Sequence, residues 1–219
     1  MSQRVYNLII LDESGSMSII EKQTISGFNE TIQTISAAQR KHEGQRHFVS
    51  LVVFNSDSIR TVFDKVSVDV VSELTHETYR PDCCTPLYDA MGMALTKLRY
   101  SLSETDDYKV LVTIITDGEE NASRYYSAKK VKGMIERQKS RYGWEFLFLG
   151  ANIDAVQTAG RFGISEDRAV NYNCDSRGTM LNYQVIGEAI SVFRNDAGID
   201  ESWKRQIDED YKNRRSDWE

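Results

Sequence analysis

Three short segments carry side chains that could do chemistry together. Asp12-Glu13-Ser14-Gly15-Ser16 sets a carboxylate and two hydroxyls at alternating positions around a turn, and Gly15 permits close backbone approach. Thr116-Asp117-Gly118 supplies a second carboxylate followed by a permissive turn residue. Thr85-Pro86 adds a hydroxyl beside a proline suited to a first helical turn. Hydroxyls with few carboxylates and room for water suit Mg²⁺ or Mn²⁺, whereas Zn²⁺ prefers nitrogen and sulfur donors. The competing reading is capping, because Ser, Thr and Asp after strands commonly accept helix N–H groups. Any one of these residues could do only that, but capping does not call for matching partners on three separate loops.

Such a site needs strands that end together. Val5–Leu11 is a continuous apolar run of strand length, and Glu21–His42 carries Ile25, Phe28, Ile32 and Ile35 at helical spacings. Phe48–Phe54 and Ile59–Val66 are β-rich and separated by Asn55-Ser56-Asp57, which favours a tight hairpin. Leu87–Leu102 reads as a helix, Val110–Ile115 as a strand, Lys129–Ser140 as a helix and Glu145–Leu149 as a strand. Asp154–Phe162 reads as a short helix, Ala169–Tyr172 as a strand and Thr179–Phe193 as a long helix. Strands apolar on both sides, alternating with amphipathic helices, predict a doubly wound α/β fold: a mostly parallel sheet with one antiparallel edge strand and helices on both faces. Ligands of such sheets sit beyond the carboxyl ends of the strands, where the strand order reverses. All three chemical segments fall in loops of that kind.

With 219 residues, 40% hydrophobic and 27% charged, the chain can bury one substantial core. No proline- or glycine-rich linker divides it, so residues 1–198 read as one domain. Residues 199–219 are densely charged, yet Trp203, Ile207 and Tyr211 recur every four residues and form an apolar stripe on a helix, packed on the parent domain or docking a partner. The apolar run near the N-terminus is far shorter than a membrane span, so the expectation is a cytoplasmic protein without membrane attachment. Cys83, Cys84 and Cys174 are odd in number and lack zinc spacing, which fits a reducing compartment. A net charge of −6 argues against nucleic acid as a partner, although a local basic patch could survive that average.

Asp12-x-Ser14-x-Ser16, followed by Thr85 before the Leu87 helix and then Asp117-Gly118, at strand ends of an α/β chain, resembles the von Willebrand factor type A (vWA) domain and its metal-ion-dependent adhesion site. The resemblance runs from about Val5 to Phe193. It implies that Ser14 and Ser16 ligate a metal directly, that Asp12 orients the site through water and hydrogen bonds, and that Thr85 and Asp117 are the exchangeable pair. Neutral hydroxyls leave the metal electron-poor, so a partner's Asp or Glu carboxylate can fill the remaining position. It also implies a protein-binding role without catalysis, and among its members the stand-alone bacterial intracellular type, including those associated with tellurite resistance, is most similar. In that family the last helix, here Thr179–Phe193, is often displaced on ligand exchange. Where many relatives have glycine before the threonine, this chain has Cys83-Cys84, expected as two buried inert thiols.

Arg124, Tyr125 and Tyr126 follow the Asp117 loop and form a candidate partner-binding rim or pack on the sheet edge. Glu119, Glu120 and Asn121 read as a solvated helix entry, and His42, His47 and His76 as solvated side chains. An Asp after the first strand is also found in phosphohydrolases that use an Asp-x-Asp pair, but Ser14 stands where the second carboxylate would be. Nucleotide-phosphate and dinucleotide glycine motifs are absent, so no nucleotide is expected.

Overall fold

The computed structural model describes residues 3–41, 44–103, 107–193 and 198–216. Strands β1 (Gln3–Asp12), β2 (Gln45–Phe54), β3 (Ile59–Ser67), β4 (Tyr108–Thr116), β5 (Glu145–Gly150) and β6 (Ala169–Asn171) form a single sheet. Helices α1 (Glu21–Arg40), α2 (Leu87–Ser101), α3 (Ala128–Tyr142), α4 (Ala155–Arg161), α5 (Ser176–Phe193) and α6 (Arg205–Ser216) surround it. The order across the sheet is β3-β2-β1-β4-β5-β6, and β2 and β3 are its antiparallel pair. β1 runs parallel to both neighbours, from Gln3↔Gln45 to Asp12↔Phe54 on one side and from Arg4↔Tyr108 to Leu11↔Ile115 on the other.

Strand β1 shows why both faces are covered. Successive side chains point to opposite faces, so Ile9 and Leu11 enter a core with Phe28 of α1 and Ile186 of α5, while Leu8 and Ile10 enter a second core with Met91 of α2 and Ile135 of α3. The strands begin earlier than their apolar runs suggest, because ladder pairing extends into polar residues such as Gln3 and Gln45. That extension corrects the reading of His47. It lies inside β2, fully buried, with Nδ1 3.3 Å from Asn7 Nδ2, whereas His76 is exposed and pairs with Glu21 at 2.7 Å. His42 lies outside the described residues.

The hairpin turn forms as its residues suggest: the Asn55 side chain accepts the N–H groups of Asp57 and Ser58, each at 3.0 Å. α3 ends where Gly143 adopts φ 64° and donates its N–H to Gln138 and Lys139 carbonyls, a conformation glycine tolerates without penalty. The C-terminal stripe faces inward. Ile207 is buried in the α1–α5 core, and Trp203 Nε1 donates to the Asp167 carbonyl at 2.7 Å.

Candidate functional site

Chain direction places the three segments together. After β1 the chain crosses to β2, and after β4 it crosses to β5 on the opposite side, so the carboxyl ends of β1 and β4 flank the point where the strand order reverses. Asp12, the last residue of β1, is fully buried there. Its Oδ1 accepts the Ser14 N–H at 2.8 Å, its Oδ2 accepts the Thr116 hydroxyl at 2.6 Å, and its carbonyl accepts the Tyr79 hydroxyl at 2.7 Å. Ser14 Oγ lies 3.3 Å from Ser16 Oγ, and the Ser16 hydroxyl donates to Asp117 Oδ1 at 2.5 Å.

Thr85 joins from the third loop. A Cβ placed on Gly118 would lie 3.4 Å from Thr85 Oγ1 and 3.8 Å from Ser16 Oγ, so both hydroxyls border the spot that the missing side chain leaves open. Asn121 holds Thr85 from both ends: the Thr85 N–H donates to Asn121 Oδ1 at 2.8 Å, and the Asn121 N–H donates to the Thr85 carbonyl at 3.1 Å. The neighbouring backbone is stitched as well, with Gly15 N–H donating to Cys83 O and Asp82 N–H to Glu13 O, each at 3.0 Å. The five candidate residues therefore meet at one place.

The capping alternative does not account for them. Ser14 precedes the 3₁₀ turn Gly15–Ile20 without capping it through its side chain, and the residue that caps α2 by position is Pro86. Side-chain caps do occur elsewhere: Ser127 accepts the Lys130 N–H at α3, and Asp154 accepts the Gln157 N–H at α4. At the site, Ser14, Ser16 and Asp117 turn toward one another instead.

Burial pushes the Asp12 carboxyl up to about 6, against the hydrogen bonds from Thr116 and Ser14 that favour the carboxylate. Burial also raises Asp117, opposed by the Ser16 hydroxyl and the Cys174 thiol. Among the described residues no ion pair reaches either carboxyl, while their neighbour Glu13, equally buried, is matched by Arg60 at 2.5 Å and by the Arg80 N–H at 2.5 Å. Two buried carboxyls with no ion-pair partner among the described residues, ringed by hydroxyls, fit the oxygen-donor preference of a hard divalent ion. Among the described residues no group of three or more His, Cys, Asp or Glu side chains forms a metal cage, so any ion here would depend on hydroxyl oxygens.

Several neighbours differ from expectation. Glu120 and Asn121 are not a solvated helix entry, because α3 starts only at Ala128 and the intervening segment is a folded loop. Glu120 Oε1 accepts the N–H groups of Ala122 and Ser123, its Oε2 accepts the Tyr88 N–H, and Asp89 accepts those of Arg124, Tyr125 and Tyr126 at 2.7 to 2.9 Å. Arg124 and Tyr125 are exposed on that loop. Tyr126 packs against Gly92 of α2, where a Cβ would collide with its ring. Cys83 and Cys84 are exposed rather than buried, since the loop turns outward at Cys83, whose φ is 61°. A hydrogen bond from the Cys83 thiol to Asp57 raises its pKa, so the thiol form is favoured despite exposure. Tyr79 and Cys174 complete the site without any pattern in the sequence to mark them. The Cys174 Sγ lies 3.8 Å from Asp117 Oδ2, and burial, then Asp117, pushes its thiol up to about 11.

The strand order and the single antiparallel edge define a vWA-like, Rossmann-like α/β fold. No family description and no curated protein matches the chain in sequence. Solved structures do match in shape. The pilus adhesin SpaC of Lactobacillus rhamnosus GG superposes with a TM-score of 0.63 at 15% identity, over 86% of this chain and 30% of that one. The PilB minor pilin of Streptococcus sanguinis gives 0.58 at 12% identity, over 87% and 62%. The manganese-loaded TRAP protein of Plasmodium vivax gives 0.54 at 16% identity, over 82% and 71%. The chain thus spans under two thirds of the length of SpaC and of the minor pilin.

Proposed function

We propose that this protein is a protein-binding module that holds Mg²⁺ or Mn²⁺ at the β1–β4 switch point and uses it to grip an Asp or Glu carboxylate of a protein partner. The observation that carries the reading is the convergence of Ser14, Ser16 and Thr85 hydroxyls with Asp12 and Asp117 from three loops, both carboxyls being buried there with no ion-pair partner among the described residues. Ser14, Ser16 and Thr85 would hold the ion directly, with Asp12 and Asp117 balancing its charge. When bound, the ion supplies an electron-poor position that accepts an external carboxylate. Adhesion proteins among the structural neighbours, and a neighbour loaded with manganese, support this reading.

The module acts without catalysis, as an adaptor in an intracellular bacterial complex for stress response or assembly, similar to tellurite-resistance-associated proteins. Among the described residues no helix is long and apolar enough to cross a membrane. Affinity capture from a bacterial lysate, first with Mg²⁺ and then with chelator, tests the reading. Partners should elute with chelator and be lost with Ser16→Ala, whereas capture indifferent to both would overturn it. The second reading, a metal-dependent phosphohydrolase, rests on the buried Asp12 at the end of β1. Hydrolysis of p-nitrophenyl phosphate that disappears with Asp12→Ala would establish it.

A further inference from the structure

The charge of this chain is unevenly placed. Its net charge is −6, yet α3 (Ala128–Tyr142) carries Lys129, Lys130, Lys132, Arg137, Lys139 and Arg141 against the single acid Glu136. Three of those lysines fall in or next to its first turn, which holds no acid, although the helix macrodipole favours acids there. A locally unfavourable choice of this kind calls for a reason outside the helix. Internal pairing does not supply one. Among the described residues the ion pair on this helix is Lys132 with Glu136, at a loose 3.9 Å, while Lys130 lies over the Tyr126 ring and Lys139 donates to the Gly163 carbonyl at 3.4 Å.

On the Arg137 side of the helix, α2 and α3 enclose a groove of about 390 Å³, lined by Thr96, Arg99, Tyr100, Met134, Arg137 and Gln138. Arg99 is fixed, donating to the Tyr142 hydroxyl at 2.6 Å with its guanidinium 4.1 Å from that ring. Tyr100 is 83% exposed at the rim. Gln138 is only 5% exposed, and its Oε1 has no hydrogen-bond partner among the described residues. Two guanidinium groups and an exposed aromatic ring make a seat for a carboxylate side chain, and Arg and Tyr are favoured at binding hot spots.

We infer that the α2–α3 groove and the outer face of α3 form a second docking surface, independent of the metal loops, for an acidic segment of a protein partner. An α3 of 15 residues offers a stripe about 22 Å long. That length suits a short acidic segment, about seven residues when extended, and the net charge of −6 disfavours a long polyanion such as nucleic acid.

The test is fluorescence anisotropy with a labelled 15-residue peptide of alternating Glu and Ser, in EDTA at low salt, which leaves the metal site out of the measurement. The peptide should bind, weaken steeply with added salt, and lose at least about tenfold in affinity with the triple variant Lys129→Glu, Lys132→Glu, Arg137→Glu. The control triple variant Lys22→Glu, Lys41→Glu, Lys212→Glu, on exposed positions elsewhere, should bind as the parent does. No binding, equal loss in the control, tighter binding of a 15-base-pair duplex, or preferential binding of phosphatidylserine vesicles would each overturn the assignment. Because EDTA is present throughout, failure here is separable from failure of the metal reading.

Discussion

Replacing Asp12 by Asn should stabilise the metal-free protein while removing its response to metal. The folded state raises this carboxyl from 3.8 to about 6, above its value in the unfolded chain. The proton is therefore bound more tightly when folded, so metal-free stability is fullest below about pH 4 and declines as pH rises toward about 6. At about 1.4 kcal/mol per pH unit, keeping Asp12 ionised at pH 7 costs about 3 kcal/mol. The amide fits the same bonds. Its oxygen can keep the Ser14 N–H, and its nitrogen can donate to Thr116 Oγ1, whose own hydrogen then turns to the Gly118 carbonyl 3.1 Å away. In EDTA at pH 7 the variant should melt higher by up to about 6 to 12 °C, about 2 to 4 °C per kcal/mol for a chain of this size, and the gain should shrink below pH 5. Magnesium at a hundredfold excess over its dissociation constant should stabilise the parent by about 2.7 kcal/mol and leave the variant unchanged. Differential scanning calorimetry in EDTA and in MgCl₂ reads all three. A variant less stable than the parent in EDTA at pH 7, or equally responsive to Mg²⁺, would refute the reasoning.

Ser14→Ala and Ser16→Ala should each weaken Mn²⁺ binding by at least about tenfold, with little change in metal-free melting for Ser14→Ala, because its hydroxyl caps no helix, and a modest loss for Ser16→Ala, whose hydroxyl donates to buried Asp117; a Ser14→Ala melting loss equal to that of a core variant would restore the capping reading. Ile207→Ala should cost about 2 to 5 kcal/mol in urea unfolding, since its side chain is only 1% exposed, and an unchanged midpoint would show that α6 is not part of the cooperative fold. Asp57→Asn should accelerate iodoacetamide labelling of Cys83 near pH 7, since the Asp57 hydrogen bond and charge favour the thiol. Equal rates would remove that control.

Four of the five converging residues were legible in the sequence because Asp12, Ser14, Ser16 and Asp117 close or follow apolar runs, whose ends chain direction carries to one side of a parallel sheet, while Thr85 was marked by the proline that opens the Leu87 helix. What holds them was not. Tyr79 reaches the Asp12 carbonyl across 67 positions and Cys174 reaches Asp117 across 57, and no local spacing encodes such contacts. Asn121 looked like a solvated helix entry because its charged neighbours mask a loop whose polar side chains turn back on the backbone. His47 looked solvated because β2 begins in polar residues, before the apolar run that marks it. The exposure of Cys83 follows from a positive φ that the cysteine type does not announce. The basic α3 was written in plain sight, but its significance depends on the groove that α2 completes beside it.

Counting Mn²⁺ bound by the folded chain, from the loss of the free-ion electron paramagnetic resonance signal in a titration, tests the proposed metal site most directly. One ion per chain, displaced by excess Mg²⁺ and absent from the Ser14→Ala, Ser16→Ala double variant, is the expected result. No uptake by the folded parent, even with a carboxylate such as acetate supplied, would contradict it.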